Sequence, residues 1–371
     1  MNSVDTPALR AAASKKITFL ANLFPNSSNP ALGTFVKTSA DGLQMQGWDV
    51  DTITLPSFGK GLMGYARFYF HAFLRLSRQR HPVYIHYVSH SSPPAIAAKL
   101  INWNLPIVLH YHGSDGFPEV SENAARRLAK RATCRIANAL ATVIVAPSEG
   151  FMQRMRRSYP MTGKLTFVSA SGGVDANTFH ADDQVRQDVD FLFAARMIKG
   201  KGGLEAASAV RQAMQDHGEL KALFVGAGPE REQMESILNE LTTVGNVEFI
   251  PPQPQRELAK LYRRCKVFLF PSTRQGESLG LTWVEAAMCG ALPLVLRNGI
   301  TENLLPEDVR EQLSASDINE LAVKALDFLN DENSRKSAVR SLQSSLSDNF
   351  SSTQVSAQLD VFLTNAFANS R

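Results

Sequence analysis

Residues 266–295 read KVFLFPSTRQGESLGLTWVEAAMCGALPLV, and two carboxylates stand in this stretch with seven residues between them, Glu277 and Glu285. The apolar run Val267–Phe270 stops at Pro271 and Ser272, as a buried strand does where it enters a loop. Gly280 then precedes an amphipathic run from Leu281 to Cys289, which Gly290 ends in the manner of a helix C-cap. A helix starting at Leu281 offers free backbone N–H groups and a partial positive charge just behind Gly280, a cradle for phosphate. Glu277 falls in the loop before that terminus. Glu285 falls inside the helix, with Leu281, Thr282, Met288 and Cys289 one turn away, where a carboxylate is costly unless something hydrogen-bonds to it. The chemistry this allows is one carboxylate beside an anion cradle and one on the helix flank, both acceptors for sugar hydroxyls. A plainer alternative stays open at this point: Glu277 solvated, and Glu285 tied to a neighbouring Arg or Lys.

The elements that must position such a site are legible from pattern. At 371 residues the chain exceeds one ordinary core and predicts two domains. In the first half, short β-branched and aromatic runs alternate with amphipathic segments: residues 16–21, 50–55, 83–88, 106–110, 142–146 and 164–168. The alternation resumes at 189–194, 221–226, 246–250, 266–270 and 292–296. Strands and helices at this spacing predict parallel, doubly wound sheets, whose ligands bind beyond the C-terminal ends of the strands. The tail, residues 354–368, has helical apolar spacing and reads as a closing helix.

Composition narrows the class. A hydrophobic share of 44% with 20% charged residues is that of a soluble globular protein. No secretory leader is legible in residues 1–16, and the longest apolar window, 279–296, holds Glu285, Gly290 and Pro293, which argues against a membrane span. Cys134, Cys265 and Cys289 show no C-x-x-C spacing, which fits a reduced, cytoplasmic setting. Charge is unevenly split: up to residue 180 there are 19 Lys+Arg against 9 Asp+Glu, and beyond it 20 against 26. A basic first half invites an anionic partner. Arg67, Arg75, Arg78 and Arg80 lie among aromatic and aliphatic residues, and a second basic run holds Arg126, Arg127, Lys130, Arg131 and Arg135. These are either solvated helix faces or contacts to an anionic membrane. His86, His90, His110 and His112 could suggest a metal, but H-E-x-x-H is absent and i, i+2, i+4 spacing on a strand is ordinary pleating, so no metal site is expected.

The central stretch, P-S-x-x-x-x-E followed by E-A-x-x-C-G, resembles the E-x₇-E signature of the retaining glycosyltransferases of family 4, which have the GT-B architecture. Further segments resemble that family in the same order. FPNSSNPALGT around Gly33 is similar to the loop lying under the donor diphosphate, and HGSD at 112–115 to the family's H-G-x-D. VSASGGVDANTF at 168–179 is similar to the interdomain joint P-N-G-V-D-x-x-x-F, with Ser171 and Gly172 in place of Pro and Asn. ARMIKGKGG resembles G-R-L-x-x-x-K-G, with Arg196 and Lys201 five apart, and GAGP at 226–229 the family's G-x-G-P turn. RNGITEN at 297–303 is a shortened glycine-rich turn.

The resemblance implies two Rossmann-like domains facing across a cleft, an acceptor-side domain at 1–175, a nucleotide-sugar domain at 176–350 and a closing helix at 351–371. It implies sugar transfer with retention from a nucleoside-diphosphate donor to a glycan or lipid-linked acceptor. Arg196 and Lys201 would stabilise the departing diphosphate, with Gly33, Gly280 and Leu281 beside it. Glu285 would hold the ribose hydroxyls, and Glu277 and His112 would position the donor sugar. No cofactor, metal or nucleic-acid partner is implied, and the setting is cytoplasmic with peripheral contact to an anionic membrane. Two other classes share this architecture: a nucleotide-sugar 2-epimerase, and a binding protein without turnover.

Overall fold

The structure is a computed structural model that describes residues 15–25, 32–55, 61–117, 119, 122–239, 241, 245–274 and 276–368. The expectation about a leader falls on residues 1–14, and part of the loop after the first strand on 26–31; both lie outside the described residues.

Two six-stranded parallel sheets carry the fold. The first comprises β1 (Lys16–Ala21), β2 (Asp49–Thr54), β3 (Val83–His86), β4 (Ile107–His110), β5 (Val143–Ala146) and β6 (Leu165–Val168) in the order β2-β1-β3-β4-β5-β6. The second comprises β7 (Val189–Ala194), β8 (Ala222–Val225), β9 (Val247–Ile250), β10 (Cys265–Phe270), β11 (Leu292–Leu296) and β12 (Ser314–Ala315) in the order β12-β11-β10-β7-β8-β9. Runs such as VIVA at β5 and LPLVL at β11 are buried throughout because helices cover both faces, as parallel sheets require. The architecture is thus two Rossmann-like domains.

Strand order locates the ligand crevices. In the second sheet the order reverses between β7 and β10, and in the first between β1 and β3. Crossover connections there leave to opposite faces, opening a crevice beyond the strands' C-terminal ends. Loops after β7 and β10 carry Arg196, Lys201 and Glu277, while those after β1 and β3 carry Asn22 and Tyr87.

The expected strand over 83–88 is shorter than its apolar run, because Tyr87 turns left-handed at φ 55° and starts the short helix Val88–Ser91. His90 therefore stands on a helix and not on a strand face with His86. The two-residue β12 was not foreseen, being too short to show a period.

The domains are joined twice. Val174 N–H donates to the Phe350 carbonyl at 2.7 Å, and Ser352 N–H to the Val174 carbonyl at 2.9 Å, so the outgoing and returning crossings lie side by side. The final helix, Ser352–Phe367, packs on the first domain: Leu359 and Leu363 join its core, Phe362 stacks on Phe167 at 4.3 Å, and Asp360 accepts from Lys15 and Trp48 at 2.7 Å each. Among the described residues, no helix is long and apolar enough to cross a membrane.

Candidate functional site

Glu277 is buried, 5% exposed, and its Oε2 accepts from Lys201 Nζ and from Ser272 Oγ, each at 2.7 Å. Burial by itself would raise its pKa. The Lys201 ammonium with its hydrogen bond, the Ser272 hydroxyl and the Arg274 charge outweigh that and hold it below the usual carboxylate value. The loop after β7 is tied to the loop after β10 by Thr273 N–H, which donates to the Gly200 carbonyl at 2.9 Å. Asn298 Nδ2 donates to the Ser272 carbonyl at 3.0 Å, and Glu302 accepts from the N–H groups of Asn298 and Gly299. The shortened RNGITEN turn therefore closes on itself and braces the Ser272 loop. Arg196 is exposed above this cluster, within electrostatic range of Arg274, Glu119 and Glu277.

Gly280 caps the helix Leu281–Met288 at φ 76°, and a side chain there would run into the Phe270 ring. Only glycine lets this helix terminus close on the end of β10. Gly33 plays the same part for the helix Thr34–Met45: at φ 65°, an added Cβ would lie 2.6 Å from the Leu23 carbonyl oxygen. Leu281 is half-buried at the first turn of its helix.

Glu285 is not brought to the Lys201–Glu277 pair. It points into the domain, 8% exposed, and burial raises its pKa to about 7, a little offset by Tyr262. The buried Tyr262 hydroxyl lies beside it without a well-formed hydrogen bond. Neither plain alternative holds: Glu277 is not solvated, and no Arg or Lys pairs with Glu285 among the described residues.

The first domain closes on this cluster from across the cleft. Ser278 Oγ donates to the His112 carbonyl at 3.1 Å, Ser148 Oγ donates to the Ser278 carbonyl at 2.7 Å, and Arg274 pairs with Glu119. The Gly113 and Gly276 backbones meet without space for a side chain. Asp115 holds the HGSD turn by accepting from the N–H groups of His112 and Val88, both at 2.9 Å. Beside this turn a cavity of about 290 Å³ is lined by Asn22, Tyr65, Tyr87, His90, Ser114 and Arg126, among others. A cavity of about 650 Å³ elsewhere, against the helix Glu332–Phe350, contains none of the expected site residues.

His86, His110 and His112 each offer a nitrogen within 4.8 Å of the others. The His86 and His112 rings lie nearly parallel, at 8°, and the other two pairs are tilted by 32–37°. His86 and His112 also spend one nitrogen each on one another, at 2.9 Å. Two Asp-x-Asp triplets, Asp49–Asp51 and Asp188–Asp190, lie where β2 and β7 begin, at the ends opposite the cleft, and pair with Lys16, Arg75, Arg264 and Lys266.

Residues that sequence reasoning missed are Ser272, Arg274, Ser278, Ser148 and Glu119. Ser272 stood in the quoted P-S motif, and Arg274 was a visible cation two places on. Nothing in the sequence pairs Ser278 with residues 112 and 148.

Residues 177–343 match the family model described as glycosyl transferases group 1, and residues 32–175 that of glycosyltransferase family 4. A D-inositol 3-phosphate glycosyltransferase of Mycobacterium tuberculosis is 28% identical over 152 residues, which span 36% of this chain and 31% of that relative. Sucrose-phosphate synthase from Thermosynechococcus elongatus superposes with a TM-score of 0.73 at 16% identity, over 95% of this chain and 99% of that one. HepE from Anabaena, solved with UDP and glucose, gives 0.71 at 17% identity, over 95% and 100%. At these identities the structural likeness is one of fold. The two domains thus match two glycosyltransferase family models in turn, and the fold is the GT-B architecture.

Proposed function

We propose that the protein is a retaining glycosyltransferase that moves a sugar from a nucleoside-diphosphate donor in the second domain to a glycan or lipid-linked acceptor held by the first. The observation that carries this reading is the cluster at the β7/β10 crevice: buried Glu277 paired with Lys201, exposed Arg196, and the capped N-terminus of the Leu281–Met288 helix. A diphosphate leaving group gathers negative charge as its bond to the sugar breaks, and fixed cations and backbone N–H groups stabilise it most where water is excluded. Glu277 is held anionic by Lys201, as a hydroxyl-accepting positioner of the sugar must be. Glu285 takes the ribose hydroxyls by turning from its buried position. Two cations and a helix terminus supply what a divalent ion would otherwise provide, so the reaction is metal-independent. That HepE was solved with UDP-glucose favours trying uridine donors first.

The acceptor side is the cavity at the β1/β3 crevice, whose Tyr65 and Tyr87 rings suit sugar stacking and whose Arg126 suits an anionic group. Asn22 Nδ2 donates to the Tyr65 hydroxyl at 3.1 Å, so this cavity adjoins the start of the helix Gly61–Leu76. That helix exposes Leu62, Met63, Phe70 and Leu74, and the nearby Leu100, Ile101 and Trp103 are exposed as well. With Arg67, Arg75, Arg78 and Arg80 around them, these residues suit peripheral contact with an anionic membrane on the cytoplasmic side. The second basic run fits less well, because Lys130 is buried and, with Arg126, pairs to Glu122.

The test is an incubation with UDP- and GDP-sugars in the presence of glycan and polyprenyl-linked acceptors, read by mass spectrometry and by the product's anomeric NMR signal. A glycosylated product with the donor's anomeric configuration is expected. An inverted product, or a rearranged nucleotide sugar formed without acceptor, contradicts the reading.

A further inference from the structure

His86 ends β3, and His112 lies two residues beyond β4, the strand paired beside it. His86 Nδ1 and His112 Nε2 are 2.9 Å apart, so one ring donates a proton to the other. The other nitrogen of each ring decides which. His112 Nδ1 lies 3.3 Å from Ser171 Oγ, a hydroxyl that can either donate or accept. His86 Nε2 is buried without a hydrogen-bond partner, and its ring packs against Phe19 and Tyr84. Were His112 the donor, His86 would carry its proton on Nε2, leaving a buried N–H with no acceptor. Such orphan N–H groups are rarer in folded proteins than acceptors with an unused lone pair. The proton therefore sits on His86 Nδ1, His112 Nε2 accepts it, and His112 carries its own proton on Nδ1.

We propose that His86 is a positioning residue that fixes His112 as the Nδ1–H tautomer, making Nδ1 its one available donor. In the free protein that donor rests on Ser171, whose backbone is held left-handed at φ 51° on the joint between the domains. At 3.3 Å this bond is long, and an oxygen of the bound substrate can replace it. Burial keeps both rings neutral: the pKa values of His86 and His112 lie well below the ordinary histidine value, first from desolvation and then from neighbouring histidines. In effect His86 acts on substrate only through His112, by deciding which of its nitrogens bears hydrogen. The consequence for turnover rests on the glycosyltransferase reading above; the tautomer itself does not.

Two readouts separate these. Long-range ¹H–¹⁵N correlation spectra of histidine-labelled protein report the tautomer directly, with the His112 signals identified by their loss in His112→Gln. The wild-type protein is expected to show His112 protonated on Nδ1 and unprotonated on Nε2, and the reverse pattern overturns the proposal. His86→Asp replaces the donor by an acceptor, and should move His112 toward the Nε2–H form. It should also lower kcat by about tenfold or more with the donor KM changed less than about threefold, modest beside the ~10⁴ that a wrong tautomer of a catalytic base costs. His86→Asn, whose amide nitrogen falls near the Nδ1 position, should restore both the tautomer and most of kcat. An unchanged His112 spectrum in a folded His86→Asp protein overturns the assignment of His86. A shifted spectrum with unchanged kcat overturns its consequence for catalysis.

Discussion

Lys201 and Glu277, 76 positions apart, meet as a nearly buried ion pair at 2.7 Å between the loops that follow two adjacent strands, β7 and β10. Neither charge has much water. The lysine side chain is 15% exposed and the glutamate 7%, so each is the other's main counter-charge. Arg196, a few residues away in sequence, stands exposed at the same crevice.

That difference separates two substitutions with the same expected effect on chemistry. Arg196→Ala and Lys201→Ala should each lower turnover by about 10² to 10³, the scale for removing one transition-state charge partner. Only Lys201→Ala strands a buried carboxylate, a loss on the order of 3–5 kcal/mol when a buried pair is broken from one side. Thermal melts at pH 7 should therefore place Lys201→Ala well below wild type and Arg196→Ala close to it. Near wild-type turnover in either variant removes that residue from the mechanism.

Glu285 makes stability depend on pH in the opposite sense from a paired carboxylate. Its folded-state pKa of about 7 lies above the ordinary value of 4.5, so the native state keeps a proton that the unfolded chain has released. Stability is full below about pH 4.5 and declines as pH rises toward 7, by on the order of 3 kcal/mol for a difference of that size. Glu285→Gln should thus raise the melting temperature at pH 8, barely alter it at pH 5, and weaken nucleotide binding. A variant with the same pH dependence as wild type would show that Glu285 is not held protonated in the native state.

Much of this site was legible before the fold was known, and the reasons are physical. Glu277, Gly280 and Leu281 lie within one strand–loop–helix unit, where local spacing is enough. Arg196 and Lys201 follow an apolar run that ends in a glycine-rich loop, which marks a strand end. What was not legible depends on distance. The direction of the Glu285 side chain is set by Tyr262 and by packing, and the hydroxyl of Ser278 finds the His112 carbonyl only when two domains face each other. The return of the last helix to the first domain is equally long-range: apolar spacing at Val355, Leu359 and Phe362 gives a helix but not the surface it covers. The 83–88 run misled because strand propensity does not register a single left-handed residue such as Tyr87.

With Arg196, Lys201 and a helix terminus at the donor crevice, the proposed reaction is expected to need no divalent ion. Activity should survive excess EDTA within about twofold. Stimulation of tenfold or more by magnesium or manganese would mean that the cations at this crevice do not suffice.

The apolar and arginine-rich face of the Gly61–Leu76 helix should bind anionic vesicles reversibly. Each basic residue near such a surface contributes on the order of 1 kcal/mol, falling off within a Debye length. Arg75 also pairs with Asp51, which reduces its share. Co-sedimentation should be stronger with anionic than neutral lipid and weaker at high salt. Changing Arg67, Arg75, Arg78 and Arg80 to Gln should reduce it without affecting nucleotide binding. Equal binding to neutral vesicles, or none to anionic ones, would make this face ordinary solvated surface.

The direct measurement for the donor site is calorimetric titration of UDP and GDP into wild-type protein, Arg196→Ala and Arg78→Gln. One nucleotide should bind the wild type, bind Arg196→Ala at least about tenfold more weakly, and bind Arg78→Gln unchanged. No binding of either nucleotide to the wild type, or equal binding to Arg196→Ala, would contradict a diphosphate site at the β7/β10 crevice.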